Sequence, residues 1–118
     1  MAFQHLILSL LVSVSVAGED PRPLVPSPLL DALIHQESGG DPRAVSRVGA
    51  KGLAQAMDHT ARDPGYGVRP LANPYDPRAS RRFAAEYLGA LLRAFDDPGH
   101  AIMAYNWGPG NVERWLRR

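Results

Sequence analysis

The 118-residue chain contains no cysteine, and its formal net charge at pH 7 is only +1. The absence of cysteine excludes disulfides, a cysteine nucleophile and thiolate metal sites, so stability has to come from packing. The low net charge argues against a nucleic-acid partner, because such proteins usually carry a strongly basic surface. The basic C-terminal residues ERWLRR are interpreted as the solvated face of a terminal helix. We therefore expect no nucleic-acid binding.

The chain lacks an apolar run long enough to span a bilayer, although residues 6–17 (LILSLLVSVSVA) form a shorter one. This run has the length of a signal-peptide core, and Ser15-Val16-Ala17 supplies small residues before a cleavage site. The preceding MAFQH has no basic residue, and the alternation in VSVSVA also permits a buried strand or an uncleaved anchor. We expect a signal peptide at 1–17, a proline-rich linker at 18–26 and one domain at 27–118, exported to the periplasm or cell envelope.

Proline, glycine and aspartate mark the ends of the predicted helices. Ser27-Pro28 predicts the start of the first helix, with Ser27 as its N-cap, and Gly39-Gly40 predicts its end. A short second helix is predicted through LAQAMDHTAR (53–62). The segment DPGYGVRPLANPYDP (63–77) is rich in proline and glycine and predicts a long surface loop.

The strongest helical pattern is RASRRFAAEYLGALLRAF (78–95), which Asp76-Pro77 precedes. Its apolar residues recur at helical spacing and predict the central packing stripe: Phe83, Ala84, Tyr87, Leu88, Leu91, Leu92 and Phe95.

Two helices are predicted near the C-terminus. Asp97-Pro98 predicts the start of one, which ends at Gly108-Pro109-Gly110. Asn111 is expected to cap the last helix, with Val112, Trp115 and Leu116 pointing inward. Because no convincing pair of strands is found, the predicted fold is mainly α-helical.

Glu37 lies at the end of the first helix, on the same face as its apolar residues. Helical spacing places it beside Leu30, Leu33 and Ile34, whereas His35 falls on the other side. A carboxyl group that is desolvated there, near the negative end of the helix dipole, favours its protonated form and is suited to general acid catalysis. The alternative is a glutamate whose stem packs while its carboxylate reaches water.

Two further segments carry polar groups beside flexible backbone. GAKGLAQAM supplies Gln55 and Met57, which offer amide hydrogen bonds and soft apolar contact. IMAYNWGPGN supplies Tyr105 and Asn106 at a glycine-rich helix end.

In combination, four segments make the chain resemble the lytic transglycosylases whose catalytic domain is goose-type-lysozyme-like. They are ALIHQESGGDPRAVSRVGAKGLAQAM, TARDPGYGVRP, RRFAAEYLGALL and AYNWGPGNV, in this order within residues 32–112. The resemblance implies a small lysozyme-like helical domain with a catalytic groove. It also implies a reaction on the glycan strands of bacterial peptidoglycan, without a cofactor.

On that resemblance Glu37 is the catalytic acid and base. It would protonate the glycosidic oxygen between N-acetylmuramic acid and N-acetylglucosamine, and then accept the proton of the muramic C6 hydroxyl. That hydroxyl attacks C1 of the same sugar and gives a 1,6-anhydro product. An intramolecular nucleophile makes a second carboxylate unnecessary.

The resemblance also implies five substrate-binding residues. Ser38 would orient the catalytic carboxylate or the sugar, Gln55 and Met57 would line the groove, and Tyr105 would donate a hydrogen bond to the catalytic glutamate. Asn106 would bind an N-acetyl or hydroxyl group. The alternatives are a helix cap for Ser38, a core residue for Met57 and a satisfied buried phenol for Tyr105. Trp107 and Tyr66 are candidates for stacking on a sugar.

The second motif departs from the family pattern Gly-Leu-Met-Gln-hydrophobic-Met-Pro, because Ala54 and Asp58 replace methionine and proline. Ala54 would widen a subsite. Asp58 is interpreted as an N-cap for the following turn. If it faced the groove instead, it would orient water and favour a hydrolytic muramidase.

Two other functions are compatible with parts of the sequence. A non-catalytic glycan-binding module would keep the groove without the reaction. A metal hydrolase is suggested only by the pair His35 and Glu37, and the remaining histidines do not complete a ligand set, so no metal is expected. We expect a monomer, with an envelope or virion assembly partner that determines its location, and a phage virion component is the alternative to an exported enzyme.

Overall fold

The computed structural model describes residues 25–118, and the predicted signal peptide and most of the predicted linker lie outside this range. The described part is mainly α-helical, which confirms the predicted fold class. Five helices occur in it: α1 (Ser27–Ser38), α2 (Asp58–Arg62), α3 (Pro77–Ala94), α4 (Pro98–Trp107) and α5 (Pro109–Leu116). Within residues 25–118, no helix is both long and apolar enough to cross a bilayer.

Helix α1 has the predicted bounds but not the predicted N-cap. Pro26 occupies the capping position and the Ser27 side chain makes no capping hydrogen bond, so the proline residues alone set this start. The helix ends where Gly39 adopts a left-handed conformation, with φ of 65°. One face of α1 is buried, and it consists of Leu29, Leu30, Leu33 and Ile34.

Helix α3 is the central element, packed against both α1 and α4. The Asp76 carboxylate caps it by accepting hydrogen bonds from the backbone N–H groups of Arg78 and Ala79, at 3.0 and 3.4 Å. The predicted stripe forms the core, since all of its members are buried except Leu92, which is half-buried. Asp97 caps α4 in the same way, through the N–H of Gly99 at 2.7 Å.

The predicted second helix is wrong at its start, because α2 begins only at Asp58. Gly52 and Gln55 have φ angles of 74° and 50°, which a right-handed helix cannot contain. Residues 52–55 instead form a tight turn, here called the Ala54 turn. Lys51 flanks it with antiparallel bridges to Val45 and Ala56.

Residues 63–76 contain no helix or strand, which confirms the predicted loop. Leu71 anchors this loop in the core, where it is 3% exposed and donates its N–H to the Ala61 carbonyl at 2.8 Å.

Two predictions for the last helix are wrong. Helix α5 begins at Pro109, so Asn111 lies inside it rather than capping it. Val112 is buried as predicted, but Trp115 and Leu116 are 44% and 46% exposed. The helix is only eight residues long and contacts the domain mainly through α4, so a single residue reaches the core. The Trp115 ring lies edge-on to His100, with 5.8 Å between the ring centroids.

Candidate active site

A cleft of about 760 Å³ opens between the end of α1, the Ala54 turn and the junction of α4 and α5. It lies within the usual size range of ligand pockets. Its lining combines one buried aromatic wall with many polar groups: Glu37, Ser46, Val48, Ala50, Ala54, Gln55, Ala56, Met57, His59, Thr60, Asp63, Pro64, Phe83, Tyr87, Tyr105, Asn106, Trp107, Gly108, Pro109, Gly110, Asn111 and Arg114.

Glu37 lines this cleft from the last turn of α1 and is half-buried. Among the described residues, no donor forms a hydrogen bond with its carboxylate. Burial raises the pKa of Glu37 from 4.5 to about 7, because desolvation penalises the charged form. A group with this pKa both donates and accepts a proton readily near neutral pH.

The hydrogen bond predicted from Tyr105 to Glu37 is not present. The Tyr105 hydroxyl donates instead to the carbonyl oxygen of Ala54, at 2.9 Å. Burial, and secondly the nearby Glu37 charge, raise the pKa of Tyr105 well above its usual range, so this hydroxyl stays protonated. The Tyr105 ring packs against Tyr87, with 5.6 Å between the centroids.

The backbone of Ala54 is held at both its N–H and its carbonyl group by side chains from different helices. Its N–H donates to the Ser80 hydroxyl oxygen of α3 at 3.1 Å, while its carbonyl accepts from Tyr105 of α4. Ser80 and Ala54 are 0% and 1% exposed, so the hydrogen bond between them is shielded from water, and the one from Tyr105 is partly buried. Ser80 was not identified as a functional residue from the sequence. Its position three residues before Phe83 places it on the apolar face of the helix, and this spacing could have indicated a buried hydroxyl.

Gln55 and Met57, two of the predicted substrate-binding residues, both line the cleft. The Gln55 side-chain amide nitrogen donates to the carbonyl oxygens of Ala44 and Gly52, at 3.2 and 3.0 Å. These bonds hold the Ala54 turn in its left-handed conformation. The amide oxygen of Gln55 is therefore the part of this side chain that remains to accept a hydrogen bond from a ligand.

Ser38 does not line the cleft. Its hydroxyl donates to the Ile34 carbonyl at 3.0 Å and accepts from the Gly40 N–H at 3.3 Å, which are the contacts of a helix end. Asn106 does line the cleft and is exposed, with its amide nitrogen donating to the Ile102 carbonyl at 3.1 Å.

The two aromatic residues predicted to stack on sugar occupy different places. Trp107 lines the cleft and is 51% exposed, whereas Tyr66 does not line it. Asp58 also lies outside the cleft, and it caps nothing: its carboxylate forms an ion pair with Lys51 at 3.0 Å. A different acidic residue, Asp63, lines the cleft and was not identified from the sequence.

No set of three or more histidine, aspartate or glutamate side chains within residues 25–118 could hold a metal ion. His35 is exposed on the far face of α1, as helical spacing predicts.

Comparison with known protein families identifies the family of this chain. The family model described as "Transglycosylase SLT domain" matches residues 17–118. Because the match includes most of the chain, this protein belongs to the transglycosylase SLT domain family. The family resemblance predicted from the sequence motifs is therefore confirmed.

Among curated relatives, the chain is similar to a "Transglycosylase" of Enterobacteria phage PRD1, with 35% identity over 96 residues, which are 81% of this chain and 32% of the relative. It is 39% identical over 92 residues to "Membrane-bound lytic murein transglycosylase F" of Alcanivorax borkumensis, covering 72% of this chain and 19% of the relative. Identity to "Soluble lytic murein transglycosylase" of Escherichia coli K12 is 33% over 100 residues, covering 78% of this chain and 15% of the relative.

The aligned part therefore spans between 15% and 32% of the length of these relatives. No solved structure gives a significant match to the chain.

Proposed function

We propose that this protein is a peptidoglycan lytic transglycosylase. It would cleave the β-1,4 bond between N-acetylmuramic acid and N-acetylglucosamine without water and leave a 1,6-anhydro-N-acetylmuramic acid end. The observation that carries the proposal is Glu37, a carboxyl group with a pKa of about 7 in the cleft of a transglycosylase SLT domain. Two relatives carry the words lytic murein transglycosylase in their names, which supports the same substrate, and the phage relative is named a transglycosylase.

In the proposed reaction, the protonated Glu37 gives its proton to the glycosidic oxygen as the bond to C1 of N-acetylmuramic acid breaks. The resulting carboxylate takes the proton of the C6 hydroxyl, whose oxygen forms the new bond to C1. Glu37 ends the cycle protonated, and no atom from water enters the product. Burial suits both steps, because the raised pKa keeps a large share of the acid protonated near pH 7 and makes the carboxylate basic enough to take the proton of the C6 hydroxyl.

The remaining predicted residues would bind and position the glycan. In the proposal Gln55, Met57, Asn106 and Trp107 contact the sugars, and no cofactor takes part. Ser38 acts indirectly, by completing the end of the helix that carries the catalytic glutamate.

A hydrolytic muramidase is the second candidate, and Asp63 is the observation that favours it. Asp63 lines the same cleft as Glu37, so it could orient a water molecule toward the sugar. Asp58, the residue for which the sequence leaves this role open, forms an ion pair with Lys51 instead.

The test is digestion of purified peptidoglycan by the full chain and by its Glu37→Gln variant, with mass spectrometry of the fragments. We expect anhydromuropeptides from the parent and a loss of at least about a hundredfold in rate for the variant, the usual scale for a missing general acid. Glu113→Gln is the matched control, since Glu113 is exposed and does not line the cleft.

Other products would contradict the proposal in distinct ways. Reducing-end fragments that disappear with Asp63→Asn would establish the muramidase. Glycan binding by parent and Glu37→Gln alike, with no fragments from either, would establish a non-catalytic glycan-binding module.

The location of the enzyme is also a proposal. The names of two relatives contain the word murein, which supports a site of action at the cell envelope. The phage relative supports the alternative of a virion component. Detection of the protein in purified virions or in a periplasmic fraction of its native source would distinguish the two.

A further inference from the structure

We infer that Arg114 binds a carboxylate of the peptide stem carried by N-acetylmuramic acid, and that the cleft therefore recognises stem-bearing glycan by charge. This inference rests on the proposed function, because it assumes that peptidoglycan occupies the cleft. It assigns to the cleft a recognition element that the sequence motifs do not contain.

The position of the Arg114 guanidinium carries the argument. It lies along the cleft rim beside the first turn of α5, where its Nη2 contacts the Asn111 side-chain oxygen. A Cβ atom placed on Gly110 would lie 3.5 Å from Nη1 of Arg114. Asn111 is fixed in turn, because its amide nitrogen donates to the Trp107 carbonyl at 2.6 Å. The guanidinium is thus held in place at the cleft by a neutral amide.

Arg114 forms no ion pair with another side chain of residues 25–118. Within residues 25–118 the arginines that form ion pairs are Arg69 and Arg82, with Glu86, and Arg81, with Asp31. Arg114 has no such partner, and it is the single lysine or arginine in the cleft lining of the described chain.

The helix dipole does not explain where this side chain lies. A cation is stabilised at the C-terminal end of a helix, but the Arg114 guanidinium extends back toward residues 110 and 111 in the first turn of α5. A positive group that is held beside the cleft by the neutral Asn111 amide, and that forms no ion pair within the described residues, is suited to an anionic part of the ligand.

The chemistry of the substrate identifies that anion. The hydroxyl and N-acetyl groups of both sugars are uncharged. When a stem is attached, the lactyl carboxyl group of N-acetylmuramic acid forms an amide bond to the stem and is uncharged as well. Free carboxylates occur only along the peptide stem. Guanidinium pairs with carboxylate through two parallel hydrogen bonds, which gives geometric selectivity as well as affinity.

The test compares two soluble glycan preparations with uncross-linked stems, one native and one whose stem carboxylates have been converted to amides with carbodiimide and ammonia. Initial rates are measured for the full-length parent, Arg114→Gln and Arg114→Lys. The control is Arg117→Gln, because Arg117 is exposed and does not line the cleft.

We expect Arg114→Gln to lower kcat/KM on native glycan by about tenfold, mainly through KM, as loss of a charge-assisted hydrogen bond predicts. On amidated glycan it should equal the parent. Arg114→Lys should recover part of the loss, and Arg117→Gln should behave as the parent on both substrates.

The inference is overturned if Arg114→Gln has the same relative rate on native and amidated glycan, whether both rates fall or neither does. If the parent cleaves neither substrate, the proposed function fails, and the inference about Arg114 is then tested by measuring binding to peptidoglycan. Sedimentation with insoluble native or amidated peptidoglycan then has to show weaker retention of Arg114→Gln on the native form alone.

Discussion

Replacing Glu37 with glutamine should stabilise the protein above neutral pH while it removes activity. The native state places this carboxyl where burial raises its pKa from 4.5 to about 7. Each pKa unit is worth about 1.4 kcal/mol, so ionising Glu37 in the native state costs up to about 3 kcal/mol relative to the unfolded chain. That is a large fraction of the total stability of a small domain, which is about 5 to 15 kcal/mol. Glutamine keeps the shape of the side chain and carries no charge.

The sign of the pH dependence follows from proton binding. Between pH 4.5 and about 7 the native state holds the Glu37 proton more tightly than the unfolded chain does, so parent stability falls as pH rises through this window. Urea unfolding of parent and Glu37→Gln at pH 4, 6 and 8 measures the effect. We expect nearly equal free energies of unfolding at pH 4, and at pH 8 an advantage of about 2 to 3 kcal/mol for the variant.

Glu86→Gln provides a control of opposite sign. Burial raises the pKa of Glu86, but hydrogen bonds and charges from Arg69 and Arg82 more than offset this, and the net pKa is lowered. The stability that Glu86 contributes is therefore present above its unfolded pKa and lost as pH falls, so its substitution should be most harmful at pH 8. If the stability difference between parent and Glu37→Gln stays constant from pH 4 to pH 8, burial does not raise the pKa of Glu37 in the native state, and the reasoning is refuted.

Three shorter predictions concern the walls of the cleft and its acid. Ser80→Ala should lower the free energy of unfolding by about 1 to 3 kcal/mol, because it leaves the buried N–H of Ala54 without an acceptor, and urea unfolding measures it. Gly52→Ala should lower the free energy of unfolding by at least about 3 kcal/mol, because the added Cβ would lie 1.8 Å from the Pro74 carbonyl oxygen. Gly40→Ala, which has open space around it, should lower it by only about 1 to 2 kcal/mol in the same urea unfolding assay. Cleavage of peptidoglycan should decline as pH rises above about 7, because the acid is then ionised, and a pH–rate profile with unchanged activity at pH 9 would contradict this.

The helical framework could be predicted because its signals are local. Asp76 and Asp97 cap their helices with neighbouring N–H groups, and the stripe of α3 repeats at the helical period, so a few adjacent residues contain the information. Glu37 was placed on the buried face for the same reason. The buried residue of α5 was not predictable in this way. This helix has only eight residues and buries only Val112, and periodicity alone does not say which of its apolar residues is the buried one.

The Ala54 turn could not be predicted, because its conformation depends on residues far along the chain. Gln55 has a φ of 50°, which a helical pattern gives no reason to expect. The turn is stabilised by hydrogen bonds that cross 26 residues to Ser80 and 51 residues to Tyr105. Such contacts exist only once α3 and α4 have packed, and packing then outweighs the local helical preference.

The hydrogen bond that Tyr105 donates to Ala54, and not to Glu37 as predicted, also helps to explain the raised pKa of Glu37. A phenol donating to the carboxylate would favour its charged form and lower the pKa, which would leave less of the acid protonated at pH 7. Because the hydroxyl donates to the Ala54 carbonyl instead, the carboxyl stays desolvated and without a donor from the described chain. The same contact fixes the cleft wall that carries Gln55. The contact that secures the Ala54 turn thus also leaves Glu37 able to act as an acid, and a Tyr105→Phe variant should disturb the wall more than it changes the pKa of Glu37.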